Sequence, residues 1–336
     1  MCLASILLVA LVRSAAADDL SVFHPASRPA ASIRDLFYLV FGITGAIFAL
    51  VEGMLVYAAW RYRRRKAGND PEPAQVYGSQ PLEVAWTVAP LLIVFVLFLV
   101  VVRSVFEAQE GNDDPPALRV QLIGHQWWWD VVYLDEQPGA GVHTANELHV
   151  PTGTDGQPAR IEVELLSADV IHSFWVPRLA GKTDLVPGQT NHMWFTAEEP
   201  GTFFGQCAEF CGMQHANMKL RVVAESAESF QAWRKNEAQP ALALANVTKG
   251  RERFLSLSCV NCHTIRGTAA HGTVGPDLTH LMTRRTIAAG AADNDHEQLR
   301  AWIADPDSIK PGSEMPNMRL SSAEIDAVVD YLETLH

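Results

Sequence analysis

The sequence predicts a membrane-anchored protein made of a hairpin of two spanning helices, an all-β domain and a small all-helical domain, in that order. Three observations support this prediction. Two long apolar segments lie in the first third of the chain, short runs of alternating apolar and polar residues fill the middle, and helical patterns return near the C-terminus. A length of 336 residues leaves room for two domains of ordinary size besides the membrane segments.

Each apolar segment is close to the ~20 residues that cross a bilayer as a helix. We expect spans near residues 36–60 and 84–104, within a hairpin that covers residues 18–106. The loop between the spans carries the basic side chains Arg61, Arg63, Arg64, Arg65 and Lys66. The positive-inside rule places this loop in the cytoplasm, so everything after Phe106 should be extracytoplasmic.

Residues 1–17 are typical of a secretory leader, which agrees with an outward-facing N-terminus. An apolar run precedes the small residues Ala15, Ala16 and Ala17, where cleavage is expected. No basic residue comes before the apolar run, which departs from the usual pattern of a leader.

The middle of the chain, residues 107–235, has the pattern of an all-β domain. Turn residues separate the short alternating runs Leu118–Leu122, Asp130–Leu134, Glu147–Val150, Ile161–Leu165 and Met193–Thr196. Several short strands at this spacing are typical of a β-sandwich or barrel. A linker over residues 236–248 then leads to a helical domain at residues 249–336, with helices expected at Arg251–Ser258 and Glu324–Leu335.

The negative charge of the chain is concentrated in its middle block. Residues 107–240 carry 8 basic and 19 acidic side chains, so the block contributes 8 − 19 = −11 to a total of −12. An acidic surface repels nucleic acid, and no nucleic-acid partner is expected. The same surface can attract a basic protein partner by electrostatic steering, although solubility alone explains it equally well.

Four of the five cysteines form two close pairs, each with a histidine nearby, which indicates metal or haem chemistry rather than a disulfide framework. The first pair lies in the twelve-residue run Cys207–Met218, which also contains His215. Thiolate, imidazole and thioether donors together favour copper, with zinc as the second choice. Two thiolates can bridge two copper ions that share one electron. His172, 35 residues before the run, is the candidate for a second imidazole.

These motifs resemble subunit II of the haem–copper cytochrome c oxidases over roughly residues 30–235. The matching segments are Pro81–Thr87, Gly124–Trp129, His172–Phe174, Lys182–Gly188 and Cys207–Met218. The resemblance implies that the all-β domain is a cupredoxin-like Greek-key barrel, and that it holds the dinuclear copper centre called CuA.

The same resemblance implies a role for each matching residue. Cys207 and Cys211 would bridge both coppers, and His172 and His215 would each terminate one copper. Two weak ligands would complete the centre, namely Met218 and the backbone carbonyl of Glu209. The Glu209 side chain would point instead toward a magnesium or manganese ion at the boundary with subunit I, where a carboxylate suits a hard cation.

Two further matches concern electron and proton movement. Trp127 matches the surface aromatic at which the electron enters the family's copper domain, and the alternative for any one of three consecutive tryptophans is packing. Glu83 matches a carboxylate at the cytoplasmic mouth of a proton path. The alternative for Glu83 is an acidic residue favoured at a helix start by the helix dipole.

The second cysteine pair, Cys259-Val-Asn-Cys262-His263, indicates covalent attachment of one haem c, with His263 as an axial ligand of the iron. A thioredoxin-like redox pair is the competing interpretation, but it requires a βαβ setting. The segment Gly275–Leu278 resembles the loop that lies against the axial histidine in class I cytochromes c, which implies that the Pro276 carbonyl accepts the ring N–H of His263. The histidines expected to face solvent are His271, His280 and His296.

A methionine on the other face of the haem would raise its reduction potential, as in electron-carrying cytochromes c. The candidates are Met282, Met315 and Met318. The segment Lys310–Pro316 resembles the loop that presents the axial methionine in class I cytochromes c. We therefore expect Met315 to be the ligand, with Met318 as the alternative.

The combination of a CuA domain with a fused haem c domain resembles the caa-type oxidases. It implies the electron-accepting subunit of a proton-translocating cytochrome-c oxidase in the plasma membrane of a bacterium. Its expected partners are subunit I (haem a, haem a3 and CuB), subunit III, membrane lipid and a cytochrome c or similar donor. The alternatives are an electron carrier for another terminal enzyme, such as a nitric oxide reductase, and a copper storage or delivery module.

Overall fold

The computed structural model describes residues 20–63, 75, 77–109, 115–134, 141–153, 157–241 and 247–336. The chain forms two compact units, one of residues 31–113 and the other containing the rest of the described chain. The expected leader lies outside the described residues, as do Arg64, Arg65 and Lys66 of the basic loop.

Helices α1 (Arg28–Arg61) and α2 (Gln80–Gln109) form the membrane hairpin that the sequence predicts. The most apolar 18-residue stretch has a mean hydropathy of 2.2 in α1 and 2.8 in α2, and neither stretch is buried inside the protein. Both helices extend beyond the expected spans at each end. Because the rise of a helix is about 1.5 Å per residue, each is longer than the ~30 Å of a bilayer's hydrocarbon core.

The β-domain is a sandwich of two five-stranded sheets. One sheet has the order β3-β2-β1-β5-β8 and the other has the order β4-β10-β9-β6-β7. The strands are β1 (Leu118–His125), β2 (Trp128–Tyr133), β3 (His143–Ala145), β4 (Glu147–Pro151), β5 (Ala159–Ser167), β6 (His172–Trp175), β7 (Thr183–Leu185), β8 (Asn191–Ala197), β9 (Gly201–Cys207) and β10 (Lys219–Glu225). The pairs β1–β5 and β4–β10 are parallel, and the other paired strands are antiparallel.

The core of the sandwich follows from alternation along the strands. Leu118, Val120 and Leu122 of β1 are fully buried, whereas the residues between them face outward in part. The five alternating runs seen in the sequence lie in β1, β2, β4, β5 and β8, except that Leu134 follows the end of β2. The other five strands, β3, β6, β7, β9 and β10, were not among the predicted runs, and the three-residue strands β3 and β7 are too short to show alternation.

Two segments outside the strands complete this domain. Near the N-terminus, Ala26 is buried in the core and its backbone N–H donates to the Arg178 carbonyl. After β10, the helix α3 (Ala227–Glu237) begins at Ser226, which caps it by accepting the Ser229 N–H, and it buries Phe230 against the sandwich. The helical pattern that starts near residue 225 is thus part of the β-domain.

The C-terminal domain is mainly helical, as predicted. Its helices are α4 (Thr248–Ser256), α5 (Cys259–Cys262), α6 (His296–Ala304), α7 (Pro306–Ile309) and α8 (Ser322–Leu332). A small antiparallel pair, β11 (Thr286–Ile287) and β12 (Ala292–Asp293), was not expected, because strands of two residues carry no periodic signal. The buried faces of α4, α6 and α8 share one apolar core.

Candidate metal centres

Four sulfur and nitrogen donors predicted to bind copper lie close together at one end of the sandwich. The Sγ atoms of Cys207 and Cys211 are 3.7 Å apart. His172 Nδ1 lies 4.0 Å from the sulfur of Cys207, and His215 Nδ1 lies 3.6 Å from the sulfur of Cys211. Each cysteine thus has its own imidazole nearby while the two sulfurs face each other, which suits a pair of metal ions bridged by both thiolates.

Sheet pairing explains why residues far apart in sequence meet here. Cys207 is the last residue of β9, and it pairs with Phe174 of β6, two residues after His172. The loop that follows β9 carries Cys211 and His215, and it returns at Met218 directly before β10. The backbone N–H of Cys207 donates to the Met218 carbonyl at 3.0 Å, which closes the loop.

The two groups that the resemblance implies as weak ligands lie close to the cysteines. The Sδ atom of Met218 is 3.8 Å from the sulfur of Cys211. The Glu209 carbonyl oxygen is 3.2 Å from the sulfur of Cys207, while the Glu209 side chain is on the exposed surface of the chain. The backbone and the side chain of Glu209 thus lie in different surroundings, which is compatible with the two roles that the resemblance implies.

The ionisation of the thiols also favours a metal. The neighbouring Cys211 side chain lowers the pKa of Cys207, whereas the neighbouring Cys207 side chain and burial raise the pKa of Cys211. One negative charge is tolerated in this site and a second is strongly disfavoured. Nearby metal cations would remove that penalty and hold both sulfurs as thiolates.

Asp169 fixes the orientation of His172, and sequence reasoning missed it. Its Oδ1 atom lies 2.8 Å from His172 Nε2, which leaves Nδ1 facing the cysteines. Burial opposes the charged imidazole, but hydrogen bonds to Cys207 and Asp169 outweigh burial and raise the pKa of His172. A carboxylate behind a ligating histidine is a common device for orienting the ring. Its position three residues before His172 was the available signal.

Gly124 is required by the close approach of the same imidazole. A Cβ atom at position 124 would lie 2.8 Å from Cδ2 of His172, which is closer than real Cβ contacts. Any larger residue at this position of β1 would push the ring away from Cys207.

Trp127 connects the sulfur cluster to the C-terminal domain. Its indole N–H donates to the Cys211 carbonyl at 3.0 Å, and the Gln126 side chain donates to the same oxygen at 2.7 Å. Trp127 and Trp128 also line the large cavity of the C-terminal domain. The Gln126 contact was not foreseen, because nothing in the local pattern distinguishes this glutamine.

That cavity has the features expected of a haem site. Cys259 and Cys262 lie one helical turn apart at the two ends of α5, and both line the cavity with His263. His263 Nδ1 lies 2.8 Å from the Pro276 carbonyl oxygen, which confirms the expected contact and leaves Nε2 available to bind iron. A Cβ at Gly275 would lie 2.7 Å from the ring, so glycine is needed for this packing.

The remaining cavity walls are mostly apolar, as a porphyrin requires, although polar side chains such as Arg284 and Lys310 also line the cavity. The apolar walls include Leu299, Trp302 and Ile303 of α6. Of the candidate axial methionines, Met315 and Met318 both line the cavity, whereas Met282 packs against the apolar core instead. The cavity lining alone leaves Met315 and Met318 as alternatives.

Three further predictions concern residues away from these centres. His271 and His296 are exposed, as expected. The prediction for His280 was wrong, because this side chain is only 2% exposed and its two ring nitrogens face the carbonyls of His336 and Gln239. Glu83 lies exposed in the first turn of α2.

Comparison with known proteins matches all three parts of the chain. Residues 16–103 match the transmembrane domain of cytochrome c oxidase subunit II, residues 141–226 match its periplasmic domain, and residues 247–336 match cytochrome c.

Individual relatives agree with these matches. Cytochrome c oxidase subunit 2 of Alkalihalophilus pseudofirmus is 35% identical, over 95% of this chain and 91% of the relative. The Bacillus subtilis protein of the same name is 34% identical, over 98% and 97% respectively. Among solved structures, the periplasmic domain of CoxB from Bradyrhizobium japonicum is 30% identical, covers 37% of this chain and 94% of its own, and has a TM-score of 0.33.

The matches extend along the whole chain, and their order is that of the hairpin, the sandwich and the C-terminal helices. They all indicate the same family. The chain belongs to the cytochrome c oxidase subunit II family, in the form that carries a fused cytochrome c domain.

Proposed function

We propose that this chain takes up electrons at a haem c held by its C-terminal domain and delivers them through a dinuclear copper centre to the oxygen-reducing subunit of a cytochrome c oxidase. One observation carries the proposal. Trp127 lines the haem cavity and donates a hydrogen bond to the backbone of the copper-ligand candidate Cys211, so a single side chain connects the two sites.

The copper centre would be held by Cys207, Cys211, His172 and His215, with Met218 and the Glu209 carbonyl as weak ligands. The compact donor set supports this assignment, since every donor atom lies within 4.0 Å of a cysteine sulfur. Bound copper would supply one-electron uptake and release. The buried setting and the Asp169 contact keep the donors in place, which limits the rearrangement that accompanies a change of charge.

The haem would be attached through Cys259 and Cys262, with His263 and Met315 as the axial ligands. The pairing of His263 with the Pro276 carbonyl supports the first ligand. The proposal for Met315 is supported by its place on the cavity wall and by its loop, which begins at Lys310. With two axial side-chain ligands the haem would carry one electron at a time, and the largely apolar walls would limit the access of water to it.

Trp127 is proposed as the residue through which electrons reach the copper domain. Its contacts with both sites support this role, whereas Trp129 is fully buried in the core of the sandwich, where it has a packing role. Glu209 is proposed to bind magnesium or manganese through its exposed carboxylate. Glu83 is proposed to lie at the mouth of a proton path, which its exposed position at the start of α2 permits.

The proposed setting is the plasma membrane of a bacterium, with both soluble domains on the extracytoplasmic side. The basic residues Arg61 and Arg63 at the end of α1 support this orientation. Subunit I, subunit III, membrane lipid and a cytochrome c donor are the proposed partners. The leader at residues 1–17 is proposed to be removed on export.

The test is metal and activity analysis of the purified complex. Because subunit I is expected to hold one further copper, CuB, we expect three coppers and one haem c per complex, and a spin signal shared between two copper nuclei. The double variant Cys207→Ser, Cys211→Ser should lose this signal and lose oxygen consumption with a cytochrome c donor, because no other thiolate pair lies nearby among the described residues.

The matched control removes the other site. Cys259→Ser should impair covalent haem attachment while the shared copper signal remains. A total of two coppers per complex, one of them the CuB of subunit I, or normal oxygen consumption by the double serine variant, would overturn the proposal. Co-purification with a subunit other than a haem–copper subunit I would favour the alternative of a carrier for another terminal enzyme.

A further inference from the structure

The C-terminal domain and the sandwich meet in a buried polar interface whose contacts between domains the metal and haem motifs do not explain. On one side lie the loops of residues 284–290 and 310–312, and on the other side lie Glu147 and the segment Gln214–Lys219. The Lys219 N–H donates to the Ala289 carbonyl at 3.1 Å, and the Gln214 side chain donates to the Pro311 carbonyl at 2.7 Å. The domains are therefore joined by specific contacts as well as by the intervening chain.

The side chain of Lys310 is buried in this interface and contacts both domains. It is 3% exposed, and its Nζ atom donates to three backbone carbonyls: Trp127 at 2.6 Å, Asn217 at 3.0 Å and Ala288 at 3.0 Å. An ammonium group has three N–H donors, and all three are used here. Two of the acceptors belong to the sandwich and one belongs to the C-terminal domain.

Burial of this ammonium is costly, which argues against a mere packing role. Burial lowers the pKa of Lys310 to about 7. The three carbonyl contacts satisfy the hydrogen-bonding capacity of the ammonium group. Filling this space does not require a charge, because an apolar side chain of similar length would fill it at no desolvation cost. A charged group with three directional bonds does what an apolar one cannot, because it specifies one relative position of the three segments.

The three segments are those that matter for transfer between the sites. Trp127 contacts both the haem cavity and Cys211, Asn217 precedes Met218, and Lys310 begins the loop that carries Met315. Glu147 forms a second anchor, in which a side chain of the sandwich binds the backbone of the C-terminal domain. It is 1% exposed, and its Oε1 accepts the backbone N–H groups of Arg285 at 2.8 Å and Thr286 at 3.2 Å.

We propose that Lys310 is a positioning residue for electron transfer, because its ammonium group holds the methionine loop of the haem domain against the backbone of Trp127 and Asn217, with Glu147 as the reciprocal anchor. The proposal rests on the haem and copper sites proposed above. It means that the fused domain acts as a docked donor, whose orientation is set by a buried contact, rather than as a tethered domain that must find its site at each turnover.

The test uses the purified oxidase complex and the variant Lys310→Met, which keeps the length of the side chain and removes its donors. Haem c is reduced by a light-activated donor, and its reoxidation is followed together with copper reduction. We expect reoxidation of haem c to slow by roughly tenfold to a hundredfold, the scale of loss that follows a small misplacement of reacting groups. The rate at which an external donor reduces haem c should not change.

The matched control is Lys249→Met, which alters the other lysine of the haem domain, an exposed residue of α4. This variant should transfer electrons at the unaltered rate. Glu147→Gln, a change of similar shape on the other side of the interface, should slow reoxidation of haem c in the same direction as Lys310→Met. It also keeps the proposal testable if Lys310→Met fails to assemble.

Spectra distinguish a change in the relative position of the two sites from damage to the copper or haem site itself. Lys310→Met should retain the copper content of the parent complex, one haem c, the methionine–iron absorption band and both reduction potentials, while the magnetic coupling between haem and copper spins should change. A transfer rate within twofold of the parent, or a haem spectrum without the methionine band, would overturn the proposal. Absence of the copper or haem signals in the parent complex would instead refute the proposed function.

Discussion

Asp169 and Gly124 show how residues that bind no metal shape the copper site at the scale of single side chains. Asp169 holds the far nitrogen of His172, and Gly124 leaves the space that the ring occupies. Both lie outside the Cys207–Met218 motif. The motif supplies the donors, but their orientation comes from residues that spacing rules do not single out.

His143 provides a pH-dependent prediction at the same scale. Its Nδ1 lies 3.2 Å from a carboxylate oxygen of Asp130 across strands β2 and β3, and this hydrogen bond raises the pKa of His143. A raised pKa in the folded protein means that the stabilising contribution is fully present below the unfolded value of 6.5 and is lost as the pH rises through the folded value. The side chain is 43% exposed, so solvent screening keeps the effect small.

We therefore expect His143→Gln to lower the melting temperature of the β-domain at pH 5.5, and to have less effect at pH 8.5. Melting curves of the oxidase complex at the two values, followed through the copper absorbance, measure this difference. His192→Gln, on the exposed side of β8, is the control and should show no such pH-dependent difference. An equal loss at both values for His143→Gln would contradict the prediction.

At the scale of elements, helix α6 forms one wall of the haem cavity. Leu299, Trp302 and Ile303 line the cavity, and the helix begins at Asp295, whose side chain accepts the Gln298 N–H at 2.9 Å. A capping side chain satisfies one of the N–H groups that a helix start leaves without a partner. Because this cap stabilises α6, it also helps to keep the wall of the cavity in place.

We expect Asp295→Ala to destabilise the haem domain by about 1 kcal/mol, the usual cost of losing such a cap. Asp295→Ser should retain most of the stability, because serine caps helices as well. Denaturant unfolding followed by haem absorbance gives the comparison. If the alanine and serine variants unfold at the same denaturant concentration, the cap does not hold α6.

At the scale of the whole molecule, the proposed docking of the haem domain would determine which surface an external donor meets. Trp127 lines the haem cavity, so a donor would pass electrons to the chain through the haem domain. Residues 107–240 carry 19 acidic and 8 basic side chains, so the β-domain adds negative charge to the protein. Such a field attracts a basic partner.

We expect the kcat/KM for a basic cytochrome c donor to fall several-fold as ionic strength rises from low to physiological values, because salt screens charges beyond about 10 Å. Stopped-flow reduction of haem c at several salt concentrations measures the effect. An acidic or neutral artificial donor is the control and should not slow in the same way. A donor rate that is independent of ionic strength would contradict electrostatic steering.

The sequence by itself determined the order of the three parts, the strand-rich middle, and the identity of the metal and haem ligand candidates. The physical reason is locality. The copper motif has two cysteines, a histidine and a methionine within twelve residues, and the haem motif has two cysteines and a histidine within five. Their spacing alone indicates their chemistry, because one loop or one helical turn brings these residues together independently of the rest of the fold.

Only the tertiary structure decided the contacts between residues that are far apart in the chain. Lys310 reaches the Trp127 carbonyl across 183 positions, and Glu147 reaches the Arg285 N–H across 138. His280 was expected in solvent and is buried because segments distant in sequence, at His336 and Gln239, cover it. Such contacts depend on how distant segments of one domain, or two finished domains, fit together, and no periodicity or spacing along a single chain records that fit.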